Sequence, residues 1–449
     1  MLKFKVSPSH ELSLVESQLR IKSHFRFNNK LWQKNFNEFS KNGLPLSWVR
    51  RLLNLPGKNR DQLFFARFLS ALSNQKNLDA AILEDDIELA IIKHVDLDSL
   101  IYKKKSTAVT LSKFAYFHIA SDKLILETPL SVSRIEIKHH LFYDLIFSFL
   151  PITNIGKAVD KFSVTQKSYD HIVIILSNLK ILEAEKCNLE NQNHWEFHDL
   201  LFHSRTRLGF HKYLSGATFN KAELLSKYPA FKILPKGRKI NLKIPNIADI
   251  IKRDHKLTTI LELRRTKREL HPSVITKNEL SEFLFRTFHV KGKGINKRGK
   301  VHYEFLYSTY PTAGGCNELE IYLVVNKCQG LLRGLYYYCR DIHSLIFLKD
   351  IDGEHQKAIL SAQQSACLSN SPQILFLITA RFGRVFWKYE SAGYSLILKN
   401  VGCLLQTVYL VATSMKLSPC ALGGCYTGFL ESNINQSFLL ESVVGEFIL

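Results

Sequence analysis

Two adjacent glycines stand just after a proline and just before an unbroken apolar run, in Tyr310-Pro311-Thr312-Ala313-Gly314-Gly315 followed by Leu319 to Val325. Proline fixes one backbone torsion, while glycine admits left-handed torsions and lets another group approach the main chain. A short continuous apolar run of this kind reads as a buried strand. The chain must therefore hold a sheet in which one strand starts beside a loop able to lie against something flat or bulky. Alone, such a turn is an ordinary loop. Its weight comes from an ordered company: Arg264-Arg265-Thr266-Lys267-Arg268 upstream, then Gly334-Leu335-Tyr336-Tyr337-Tyr338, Trp387-Lys388-Tyr389 and Leu422-Gly423-Gly424 downstream.

At 449 residues the chain has room for two or three domains. Residues 251–449 alternate helix and strand patterns. Ile247 to Leu263 has helical apolar spacing, and Thr276 with Glu279 three positions on forms a capping box that opens a helix to Phe288. Strands are predicted at 302–308, 319–326, Gly334–Tyr338, Ser344–Leu348, Ser371–Ile378 and Val443–Leu449, with a surface helix over Gly353–Leu368. Gly393 to Lys416 reads as a long helix, apolar nearly all round, with Leu396, Val401, Leu405, Val408 and Ala412 along one face. Such a helix is expected to bury itself, against a partner subunit. Ahead of this region, Phe114 to Thr128 alternates as a hairpin through Ala120-Ser121-Asp122-Lys123, followed by a short strand at Arg134–Ile137. Helical runs come next at His139–Leu150, Ile155–Phe162 and Ser168–Leu179. The pattern predicts a winged-helix-like module over 106–192, a mainly helical module over 1–105 for which a second winged helix is one reading, and a linker over 193–250.

Charge is unevenly spread. The net charge is +21, and residues 201–300 hold 24 Lys or Arg against 7 Asp or Glu, while residues 301–449 hold 10 against 11. A nucleic-acid surface, an anionic cofactor with an acidic peptide, and a solvated Lys-rich linker over 225–256 all fit such a stretch. The eight cysteines all lie from Cys187 onward without a CxxC pair, so buried free thiols are expected and a zinc site is not. His198 and His203 are five apart, which is not one helical face, and read as packing or capping residues; no metal is expected. No charge-free apolar run of about 18 residues occurs, and Met1–Val6 lacks a signal core, so a cytoplasmic protein without a membrane span is expected.

The ordered motifs resemble the flavin-dependent peptide dehydrogenases of the SagB/ThcOx type, nitroreductase-like proteins that oxidise azoline rings in ribosomally made peptides. The stretch Trp195 to Gly209 is similar to one found just ahead of the flavin domain in that family. The resemblance implies an α+β fold: a nitroreductase-like FMN domain at the C-terminus, preceded by winged-helix-like peptide-binding modules, with a homodimer building two FMN sites. It implies that Arg264, Arg265, Thr266 and Arg268 contact the flavin phosphate, where guanidinium forks suit bidentate capture. It places Pro311, Thr312, Ala313, Gly314 and Gly315 beside the isoalloxazine ring, and Leu422, Gly423 and Gly424 against ring or phosphate from another side. Lys388 and Tyr389 are assigned catalysis, because azoline oxidation needs a base for the ring proton, and Arg381 and Arg384 stand close enough in sequence to bias either. Without the resemblance, Trp387-Lys388-Tyr389 reads as an amphipathic edge with Lys388 lying over Trp387. Asn317 departs from the family pattern.

The expected activity is FMN-dependent oxidation of thiazoline or oxazoline rings to thiazole or oxazole, with dioxygen reoxidising the flavin. The expected partners are a cyclised precursor peptide and the cyclodehydratase that makes the rings. The alternative is an NAD(P)H-dependent nitroreductase-type flavoenzyme acting on small molecules. A DNA-binding regulator is a third reading, opposed by the modest charge of residues 1–200, 27 basic against 22 acidic side chains.

Overall fold

The computed structural model describes residues 78–84, 87–94, 108–150, 153–154, 166–184, 193–211, 213–222, 228–269, 273–298 and 301–449, with short strands before residue 46. The chain divides into two compact units, Met1–Tyr213 and Leu214–Leu449.

The second unit is organised by a seven-stranded sheet in which every neighbouring pair is antiparallel. Its order is Arg238–Asn241, Ser344–Lys349, Gly334–Cys339, Leu319–Val325, Ile374–Arg381, Glu441–Ile448 and Cys420–Ala421. The three central strands are buried along their whole length, which explains their continuous apolar sequences. Alternation splits their side chains between two cores. On one face Ile321, Leu323, Tyr336, Tyr338 and Phe376 pack against Phe283 and Phe288 of the helix Lys277–Phe288 and against the long helix Gly393–Ser414. On the other, Tyr322, Val324, Tyr337 and Leu377 meet Ala358, Ile359 and Ala362 of the helix Gly353–Ser365. The three tyrosines of Gly334–Cys339 are therefore all core residues. Their hydroxyls end on Leu332 O, Glu320 and His343, and none opens onto a substrate slot.

The expected capping box is present, with Thr276 and Glu279 satisfying each other's backbone N–H groups, an arrangement worth about 1 kcal/mol. Ile247 to Leu263 forms two short helices, Ile247–Arg253 and Leu257–Leu263, rather than one. The inward stripe of the long helix is Ile397, Val401, Leu404, Val408 and Ala412, whereas Leu396 and Leu405 are only half-buried. Over its 22 residues this helix is long and apolar enough to cross a membrane by length and composition, yet that stripe is packed on the sheet of its own unit. The strand Val290–Arg298, which pairs with Val301–Ser308 as a separate hairpin, had no clear signal among its lysines and glycines.

Of the stretch 225–256, read as a solvated linker, the described residues 228–256 are instead part of the fold. Arg238–Asn241 is the edge strand of the sheet, and Lys232 donates to Tyr322 Oη at 2.6 Å and pairs with the buried Glu441. The stretch 193–250 likewise holds the helix Phe197–Arg205, and the division between units falls inside it.

In the first unit the hairpin Tyr116–Ala120 with Lys123–Glu127 turns at Ser121 and Asp122, both with positive φ as its two-residue turn requires. It joins Arg134–Ile137 and the strands Ile87–Lys93 and Leu78–Glu84 in a larger sheet, so strands stand where a mainly helical segment is expected. The helices His140–Phe147 and Gln166–Asn178 match two of the three expected near the hairpin; Ile155–Phe162 lies outside the described residues, as does most of 1–105. The helix Phe197–Arg205 is pinned to the hairpin at the buried Glu127, which accepts from Tyr116 at 2.6 Å, from Tyr213 at 2.7 Å and from Arg205. His203 packs at a tilt against Trp195 with ring centroids 5.3 Å apart, and His198 is exposed; no three-ligand metal cluster occurs among the described residues.

Candidate active site

The strand Leu319–Val325 begins where the polypeptide leaves Pro311–Gly315, and that loop is held by its neighbours rather than by its own sequence. Asn317, buried with φ +47°, donates from its backbone to Thr312 Oγ1 at 3.2 Å and from its side chain to Leu306 O at 2.8 Å, and accepts from Ser308. An asparagine tolerates this left-handed torsion, so the departure from the family pattern is a local structural brace. Ala313 N donates to Asn400 Oδ1 at 3.1 Å, and Asn400 Nδ2 donates to Glu318 at 2.7 Å. Burial pushes the Glu318 carboxyl above its usual range, with the Asn400 bond opposing.

Across from the loop sits Lys388, only 3% exposed. Its Nζ donates to Tyr303 Oη at 2.6 Å and to Gly314 O at 3.3 Å, and lies 4.0 Å from the Tyr303 ring centroid and 5.1 Å from that of Tyr389. Aromatic faces attract an amine at this range. Gly314 has φ +57°, and a Cβ there would stand 2.2 Å from Lys388 Nζ and 2.5 Å from Tyr389 Oη. The glycine is required both by its torsion and by the pair it faces. The structure thus brings Gly314, Lys388 and Tyr389 into one place. Lys388 does not lie over Trp387 at an edge; both are buried.

Two participants escaped sequence reasoning. Tyr303 comes from the separate hairpin and has no motif around it. Phe219 comes from a strap that pairs with the segment after Lys388: Gly216 and Glu390 exchange backbone bonds at 3.0 and 3.2 Å, and Phe219 N donates to Lys388 O at 3.2 Å. Thr218 donates to Glu390 at 2.6 Å, and the Phe219 ring lies 5.3 Å from Trp387 and 5.8 Å from Lys388 Nζ. A strap at sequence distance of about 170 residues leaves no local pattern to read.

Arg381 and Arg384 do not act on Lys388. Arg381 pairs with buried Glu320 at 2.9 Å and donates to the carbonyls of Pro229 and Ala230. Arg384 donates to the carbonyls of Cys316, Tyr228 and Glu304, each at 2.9 Å, and burial pushes its guanidinium down. Both arginines are framework residues that tie the stretch 228–230 to the sheet.

The other predicted residues gather farther along the long helix, around Tyr409. The Arg264 guanidinium lies over the Tyr409 ring at 5.5 Å, Thr266 Oγ1 is 3.1 Å from Tyr409 Oη, and Lys267 N donates to Pro419 O. Tyr409 Oη also accepts from Ala421 N at 2.9 Å, which ties the basic stretch to the strand that leads into Leu422-Gly423-Gly424. Arg265, Thr266 and Arg268 are exposed, and among the described residues none of Arg264, Arg265 and Arg268 has a carboxylate partner. Leu422 packs on the second core, while Gly423 and Gly424 face open space within 4 Å. Asn400 and Tyr409 are nine residues apart, about 13 Å along the helix axis. One end thus offers a buried amine beside an accessible glycine loop, and the other unpaired cations, a hydroxyl and an open glycine turn. An elongated anionic group with a flat ring suits that spacing, and FMN is such a group.

Comparison with known proteins matches the cyanobactin oxidase ThcOx family model to residues 109–212 and the nitroreductase family model to residues 261–443. A Methanocaldococcus jannaschii protein named for the nitroreductases is 32% identical over 214 residues, covering 47% of this chain and 99% of that protein. A solved nitroreductase-type structure from Anabaena variabilis is 22% identical with a TM-score of 0.38, and covers 55% of this chain but only 45% of that one. The E. coli microcin synthetase McbBCD complex with truncated pro-MccB17 bound gives 15% identity and a TM-score of 0.35, over 59% of this chain and 97% of that one.

Proposed function

This chain belongs to the nitroreductase family and is an oxidoreductase carrying a ThcOx-type segment ahead of its nitroreductase domain, and from that premise we propose that it oxidises azoline rings in a ribosomally made peptide. The cofactor is FMN, with its phosphate on Arg264, Arg265, Thr266 and Arg268 and its ring along Pro311–Gly315. The observation that carries the reading is the buried Lys388 amine held against Gly314 O and Tyr303 Oη, next to a loop whose Pro311 and Gly314 are exposed.

When bound, the flavin supplies a two-electron acceptor for hydride. The protein's own residues handle the proton. The Lys388 nitrogen, held in place by its bonds to Tyr303 and Gly314, is the group this reading assigns to accept the proton from the ring carbon that bears the peptide carbonyl. Phe219 and Tyr303 keep bulk water from that nitrogen, and the Tyr389 hydroxyl stands on the Gly314 side of it. The ring loses one proton and one hydride, and gains a double bond. Dioxygen returns the flavin to its oxidised state in this reading. A second copy of the chain covers the outer face of the long helix, where Tyr394 and Leu398 are exposed, and completes the phosphate end. The ThcOx-type segment holds the peptide or the cyclodehydratase.

The test begins with the absorption spectrum of the purified protein and identification of any released flavin. Released FMN, together with loss of two hydrogens per ring when a cyclised peptide is supplied, is the expected result. A protein that cannot be reconstituted with FMN sinks the reading. The near-complete coverage of the short M. jannaschii relative favours a second reading, an NAD(P)H-dependent reductase of small molecules. It is distinguished by fast flavin reduction on adding NAD(P)H without peptide turnover.

A further inference from the structure

Tyr303 also lines a cavity of about 350 Å³ within the second unit, one that does not include Lys388 or Gly314 in its lining. Three of its walls are aromatic: Tyr228, Tyr303 and Trp387. Tyr303 and Trp387 stand nearly perpendicular, at 79° with centroids 6.0 Å apart, so they form a corner rather than a flat shelf. The Tyr228 ring is fixed in place because Gly383 has no side chain; a Cβ there would lie 2.3 Å from it. Ile295, exposed on the hairpin strand, closes one side and is paired across the hairpin with Glu304.

The charge at this place is balanced. Arg384 and Glu304 both line the cavity, one of each sign. Arg384 has three of its five N–H groups committed to backbone carbonyls, so it presents a flat, occupied guanidinium rather than an anion fork. An aromatic corner with no net charge suits a flat, neutral guest, because stacked and edge-on ring contacts add to what burial of the ring contributes. The cavity also adjoins the reactive end directly. The same Tyr303 ring that walls it carries the hydroxyl bonded to Lys388.

We propose that this cavity is a binding subsite for a planar, uncharged aromatic or heteroaromatic ring carried by the peptide beside the ring that reacts. The subsite rests on the peptide reading for its biological occupant, and its own test is a binding measurement that needs no turnover. A phenylthiazole carboxamide is titrated into the FMN-loaded full-length protein by calorimetry, alongside the corresponding carboxylate. The amide is expected to bind more tightly than the carboxylate, and Ile295→Trp, which fills the cavity from its exposed side, is expected to weaken the amide about tenfold. His302→Trp on the neighbouring strand fills the same space and serves if the first variant does not fold. An equal affinity in wild type and the filled variants overturns the subsite, as does absence of binding to the wild type or preference for the carboxylate. A protein that binds the amide through this cavity yet leaves cyclised peptides unoxidised overturns the oxidase reading and leaves the subsite standing.

Discussion

The two ends of the long helix Gly393–Ser414 differ in how finished they are. At the Asn400 end, the loop, Lys388, Tyr303 and the strap form a closed set in which nearly every polar atom already has a partner within one chain. At the Tyr409 end, cations and glycines face outward without a carboxylate partner among the described residues. A proton-transfer group works only if it is held still before substrate arrives, so its surroundings must be complete in advance. A phosphate site has its charge neutralised by the ligand itself, so leaving it open costs little until then. The chain spends its buried hydrogen bonds where geometry matters and leaves plain charge where attraction suffices.

That contrast can be broken experimentally, and the largest effect belongs to the closed end. Lys388→Ala is expected to lower peptide turnover by about a hundredfold or more while the flavin spectrum is kept; turnover within a few-fold of wild type would remove Lys388 from the chemistry. Gly314→Ala acts at the same place indirectly. The left-handed torsion costs about 1 kcal/mol, and the new methyl displaces Lys388 Nζ. Turnover should drop about tenfold with FMN still bound, and a variant that instead releases its flavin shows that the loop serves the cofactor more than the lysine. At the open end, Arg265→Ala should raise the FMN dissociation constant about tenfold, more so at low salt, with turnover restored by excess FMN. If the loss persists at saturating FMN, the two ends are not separable.

The smallest effect is a control remote from both. His343 is buried against Ser281, Tyr338 and Phe285, and burial pushes its imidazole below the ordinary value, with the Lys243 carbonyl opposing and His289 adding to the shift. A lowered histidine favours the neutral folded state. Its stabilisation is therefore full above about pH 6.5 and fades as pH falls toward the folded value. Thermal unfolding should show that loss on the acid side, His343→Gln should flatten it, and FMN affinity should not follow it.

Sequence reasoning reached the parts that local pattern encodes. The continuous apolar strands, the Thr276 capping box and the Gly314-Gly315 turn each carry their cause within a few residues. In the long helix Val401, Val408 and Ala412 were read correctly, while Leu396 and Leu405 stood in for Ile397 and Leu404, because adjacent apolar residues at both places leave periodicity two choices. Arg381 and Arg384 were assigned to Lys388 by nearness in the chain, whereas their partners, the Glu320 carboxylate and carbonyls of 228–230, Glu304 and Cys316, are all distant in sequence. Tyr303 and Phe219 were missed for the same reason: each meets Lys388 only through tertiary contact.

The stretch 214–241 also bears on where this enzyme can be cut. The nitroreductase match begins at residue 261, yet the strap at Gly216, the carbonyls at 228–230 and the edge strand Arg238–Asn241 all precede it. A fragment starting near 250 would take both carbonyl acceptors from Arg381 and one of three from Arg384, and each buried donor left without a partner costs about 1–3 kcal/mol. The smallest autonomous flavoprotein in this sequence therefore begins near Leu214, and a synthetic 214–241 peptide added to the shorter fragment should restore in trans what the scission removed.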